Sequence, residues 1–144
     1  MIESDTIKLL RECDAGIKMG VTSIEDVLDY VQEETFRKCL ISCKNEHDKL
    51  KEEIRNLLEK YHDEGKEPNS IAKGMSWVKV NVKMAVDESD KTIADIITDG
   101  CNMGVKSLNM YLNQYAAADE KSKDICKRLI NLEEDLTIQM RQFL

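Results

Sequence analysis

Between Phe36 and Tyr61 the inward positions Phe36, Leu40, Cys43, His47, Leu50, Ile54, Leu57 and Tyr61 follow one another at steps of four and three. That is the narrow stripe a bundle helix turns toward its core, and it predicts a helix over 34–62. Upstream, Leu10, Cys13, Ile17, Gly20, Ile24, Val27/Leu28 and Val31 mark the inner face of a helix over 5–30, capped by Ser4 or Asp5. Ser23 with Asp26 resembles a second capping box that would split it. Asp63-Glu64-Gly65-Lys66-Glu67-Pro68-Asn69 is the chain's one cluster of helix breakers, with Gly65 suited to a C-terminal cap. A crossover helix over 70–86 carries Ile71, Met75, Val78, Val82 and Ala85/Val86 inward, with Trp77 at its flank and Lys73, Lys79 and Lys83 outside. Asp87, Glu88 and Asp90 then place acids at the positive end of a helix over 88–115. Its inner face reads Ala94, Ile97, Cys101, Gly104, Leu108, Tyr111/Leu112 and Tyr115. A last helix over 119–143 turns Ile125, Leu129, Leu132, Leu136, Met140 and Phe143 to one side.

An internal echo decides the ambiguity at Ser23. Residues 16–28 and 100–112 share Gly, Met, Gly, Val, Ser and Leu at a constant offset of 84. The second copy falls within a long helix, so the first is expected to be helical through Gly20 and Ser23. Each copy holds Gly-x-x-x-Gly (Gly16/Gly20 and Gly100/Gly104), the spacing that lets helix backbones approach, here read as contact between the first and third long helices. Two related helix pairs joined by a long helical connection form an all-α, pseudo-twofold four-helix bundle, the whole of 1–144 being one domain.

Composition agrees with long helices: 42% hydrophobic, 34% charged, one proline and few aromatics. The net charge of −7 argues against binding nucleic acid through phosphates. The start Met1-Ile2-Glu3-Ser4-Asp5 has neither the basic nor the apolar region of a secretion signal, and no apolar run reaches the length of a membrane span. The five cysteines, Cys13, Cys39, Cys43, Cys101 and Cys126, show no disulfide or Cys-x-x-Cys pattern. A cytoplasmic protein with reduced thiols is expected.

This architecture, with Cys13-Asp14-Ala15-Gly16, Glu46-His47-Asp48-Lys49-Leu50, Gly74-Met75-Ser76-Trp77 and Asp99-Gly100-Cys101, resembles the ferritin-like superfamily, and among it the small bacterial four-helix proteins with a degenerate bundle. The resemblance implies a bundle that in many members holds a di-iron site of Glu and Glu-x-x-His ligands. Here the motif breaks. Three residues after Glu46 stands Lys49, three after Glu133 stands Leu136, and His47 and His62 are the only histidines. A standard di-iron centre is therefore expected to be absent, and ferroxidase, peroxidase and iron-storage readings go with it.

One constellation keeps chemical potential. Aligning the helices about their connections brings His47, Cys43, Cys101 and Glu133 to one level of the bundle interior. Imidazole, thiolate and carboxylate would suit zinc or iron. The competing reading makes His47 a hydrogen-bonded core residue and the cysteines small hydrophobes. His62, near a helix end, reads as a partner of the helix dipole, and the methionines as core and edge filler. The sequence thus supports a non-enzymatic bundle acting through protein contacts as a homodimer, with the crossover helix as its surface. The rival is a metal or thiol-redox protein built on the four interior residues.

Overall fold

The computed structural model describes residues 2–66 and 89–144. It is an all-α four-helix bundle: α1 (Ile2–Leu28), α2 (Glu34–Glu59), α3 (Asp90–Gln114) and α4 (Glu120–Met140), followed by a 3₁₀ turn at Arg141–Phe143. The crossover helix expected over 70–86, with Trp77, Lys73, Lys79 and Lys83, lies outside the described residues.

α1 begins at Ile2, three residues before the expected start at 5, and Ser4 and Asp5 lie within it. The Asp5 carboxylate instead accepts the Ala117 N–H (3.0 Å), and the Thr6 hydroxyl accepts that of Asp119 (2.8 Å), so both side chains fasten the α3–α4 junction. The helix runs unbroken through Gly20, as the echo implied. Ser23 is no cap: its hydroxyl donates back to the Met19 carbonyl at 2.5 Å, four residues earlier. Arg37 closes the helix from outside by donating to the Leu28 and Val31 carbonyls.

α2 has no side-chain cap of its own. Its entry is held by Asp90, whose two carboxylate oxygens accept the Gln32 and Glu33 N–H groups at 2.8 and 2.9 Å. The buried seam is Phe36, Leu40, Cys43, His47, Leu50, Ile54 and Leu58. Leu58 replaces the expected Leu57 because a straight helix drifts about 20° per heptad against a 3.5-residue repeat. The helix ends at Glu59, not 62, in a left-handed turn. His62 (φ 56°) donates to the Glu59 carbonyl and Asp63 to that of Leu58, which is the Schellman pattern. α3 and α4 are capped by Ser89 and Asp119, which accept the Thr92 and Ser122 N–H groups.

These contacts set the topology. α3 starts beside the entry to α2 and ends beside the start of α1, so it runs parallel to α2 and antiparallel to α1. α4 returns parallel to α1, giving an up-down-down-up bundle with one long connection. α1 packs on α2, α3 on α4, and α4 also on α1 and α2. The core falls into two apolar halves. One holds Ile24, Val27, Phe36, Leu40, Ile93, Ile97, Met140 and Phe143, with the Phe36 and Phe143 rings stacked at 4.4 Å. The other holds Leu9, Leu10, Ile17, Leu50, Ile54, Leu108, Ile125 and Leu129. Among the described residues no helix is long and apolar enough to cross a membrane.

Candidate functional site

His47 sits where the two halves of the core meet, 1% exposed. Its Nδ1 lies 2.8 Å from the Cys43 carbonyl, which can only accept, so Nδ1 carries a proton and donates it. The Cys43 sulfur is 3.5 Å from the same nitrogen. On the other side of the ring Nε2 lies 2.9 Å from Oε1 of Glu133, reaching in from α4. Burial alone would discharge the ring, but the contacts with Cys43 and Glu133 outweigh it and raise its pKa from 6.5 to about 10. His47 is therefore an imidazolium at neutral pH, and Nε2 donates to the Glu133 carboxylate.

Cys101, from α3, lies against the same carboxylate. Burial first, and the neighbouring Glu133 charge second, push its thiol far above the usual range and keep it protonated. The four residues singled out from the sequence thus do meet at one level of the bundle, as a hydrogen-bonded ion pair with two thiols beside it.

Two glycines make room for that pair. A methyl on Gly20 of α1 would stand 3.1 Å from His47 Nε2 and 3.7 Å from Glu133 Oε1. A methyl on Gly104 of α3 would stand 3.7 Å from Glu133 Oε2. The first and third long helices do touch, as expected, but the room left at Gly20 and Gly104 is filled by side chains of α2 and α4. The only sequence signal for this was the echo itself, since Gly20 and Gly104 are its equivalent positions.

The donor set does not suit a di-iron centre. Glu46, the residue that starts the broken motif in α2, is turned outward, where it accepts a hydrogen bond from Lys49 at 2.9 Å, and Leu136 is packed in the core. Both nitrogens of His47 are engaged as donors, so neither presents a lone pair. Among the described residues no group of three or more His, Cys, Asp or Glu side chains stands where it could hold a metal ion.

Sequence reasoning missed two further clusters. Cys13 of α1 hydrogen-bonds the sulfur of Cys126 in α4, whose own thiol donates to the Leu108 carbonyl at 3.8 Å; all five cysteines are free. Near the exit of α2, buried Asp14 accepts the Lys66 N–H at 3.0 Å and pairs with Lys18 at 2.8 Å, while Lys66 Nζ pairs with Glu12. Gly65 (φ 89°) lies so close to Asp14 Oδ2 that a Cβ there would collide with it. His62 takes the left-handed backbone position at the end of α2.

Compared with known proteins, the chain matches no family model, no curated protein and no solved structure.

Proposed function

We propose that this chain is a cytoplasmic, non-enzymatic helical bundle of the ferritin-like kind, that it works through protein contacts, with a second copy of itself as partner, and that its interior His47–Glu133 pair is structural. One observation carries the choice over the metal or redox rival. The groups such chemistry would need are already bonded to one another: His47 donates through both nitrogens, and the Cys101 thiol is held protonated beside a carboxylate. A zinc or iron ion would have to displace a proton from the ring and break one of its hydrogen bonds. The up-down-down-up order with one long connection supports the ferritin-like part of the reading.

The test is elemental analysis of protein purified without tag or chelator, together with thermal denaturation of His47→Leu. The parent is expected to carry no stoichiometric zinc or iron, and its melting temperature not to move when either is added. His47→Leu is expected to lose about 2–3 kcal/mol, because the Glu133 charge is left buried without a partner. The seam pattern alone would have made that substitution harmless. Near-stoichiometric metal that vanishes in His47→Leu would overturn the proposal in favour of the interior site.

A further inference from the structure

α1 and α4 run parallel, and their contacts keep one register. The Thr6 hydroxyl accepts the N–H of Asp119, 113 residues further along the chain. A methyl on Gly16 would meet Leu129 Cδ2 at 3.9 Å, and one on Gly20 would meet Glu133 Oε1 at 3.7 Å, both across that same separation. Cys13 and Cys126 belong to the same series. They stand one heptad beyond Thr6 and Asp119 and one turn before Gly16 and Leu129, so the register sets their side chains face to face in the core. Gly16 has no side chain to hold the helices apart at that level. A disulfide needs such closeness, with Cα atoms about 4.4–6.8 Å from one another.

We propose that Cys13 and Cys126 are an oxidation site, at which a small hydroperoxide joins the two thiols into a disulfide between α1 and α4. Both side chains are fully buried, so the oxidant has to be small and uncharged; hydrogen peroxide qualifies and a glutathione disulfide does not. It reaches them as the nearby start of α1 and the α3–α4 junction open locally. Cys13 donates its S–H to the Cys126 sulfur, which favours the thiolate of Cys126 against the burial that opposes it. That thiolate attacks one peroxide oxygen, the O–O bond breaks, and the departing hydroxide takes up the proton Cys126 had released. Cys126 is then a sulfenic acid. Cys13 loses its proton as its sulfur attacks that of Cys126. The S–S bond forms, the S–O bond breaks, and the hydroxide leaves with that proton as a second water. Two thiols have lost two electrons and two protons, and the peroxide has become two waters. The other interior thiols are placed differently, Cys101 against Glu133 and Cys43 beside the His47 ring.

Hydrogen peroxide added to the reduced full chain, followed by peptide mass mapping without reductant, tests this. The expected product is lighter by two hydrogens, has the Cys13 and Cys126 peptides joined, and reverts with dithiothreitol. The link closes a loop of over a hundred residues in the unfolded chain, so the oxidised protein is expected to melt higher than the reduced one by roughly 10 °C. Cys126→Ser should abolish the link, while Cys39→Ser, which removes the half-buried thiol of α2, should leave it. A chain that keeps its five free thiols would overturn the proposal, as would other cysteines joined in their place. So would an oxygenated Cys126 without the link, a link that forms only in urea, or an oxidised chain that melts below the reduced one.

Discussion

His47 is charged because the Cys43 side chain and the Glu133 carboxylate flank a ring that burial would otherwise neutralise. Its pKa is raised on folding, from 6.5 to about 10, so the folded state binds the proton more tightly than the unfolded state. The resulting stability is fully present below pH 6.5 and is lost progressively as pH rises toward 10. Chemical denaturation at stepped pH should show that decline in the parent and not in His47→Leu, and the imidazole resonances should titrate far above the usual histidine range. The glycines beside the His47–Glu133 pair make opposite predictions. Gly104→Ala meets ordinary contacts at 3.7–3.8 Å and should stabilise by about 0.5–1 kcal/mol through helix propensity. Gly20→Ala would press on Nε2 at 3.1 Å, and the ring is held by bonds on both sides, so the variant should melt below the parent. Thermal melts of the two variants side by side check this. The ring's place in the seam was legible in the sequence, since a seam position needs only periodicity. The function of the two glycines was not, because a glycine's neighbours belong to other helices and leave no mark on its own spacing.

At the scale of elements, the helices were legible from their inward faces, and their ends much less so. Asp5 looks like a cap but is used, with Thr6, at the α3–α4 junction, and Ser23 looks like a cap but bonds within α1. Each of these side chains has two plausible backbone partners, one local and one distant, and only the packed bundle selects between them. Asp90 is the reverse case. Read as an acid at the start of α3, it also holds the entry to α2. The end of α2 was missed because its left-handed residue is histidine and not glycine. A non-glycine residue there is strained by about 1–2 kcal/mol. His62→Gly should therefore raise stability by about 1 kcal/mol in urea denaturation, after the glycine's greater loss of chain entropy is counted. Gly65, expected as the C-terminal cap, instead takes its positive φ of 89° three residues beyond His62, where Asp14 crowds it.

At the scale of the whole molecule, one polar layer joins two apolar half-cores, with α1 and α3 contributing space and α2 and α4 contributing charge. The 84-residue echo makes Gly20 and Gly104 equivalent positions, but the charges do not follow it, since His47 and Glu133 are not equivalent. A buried pair of this kind is often less stabilising than the hydrophobic residues that could replace it. His47→Leu combined with Glu133→Leu should accordingly melt at or above the parent, while His47→Leu alone melts below it; a double-mutant cycle in denaturant measures the difference.

What the pair supplies in exchange is alignment. Helices with leucine and isoleucine at every inward step can slide past one another by a heptad and still bury much the same surface. If α4 slid by seven residues along α2, His47 would face Cys126 in one direction and Met140 in the other, neither of which can answer its charge. A misaligned bundle would thus strand a cation in its centre, and the chain is left with a single setting in which all four helices agree.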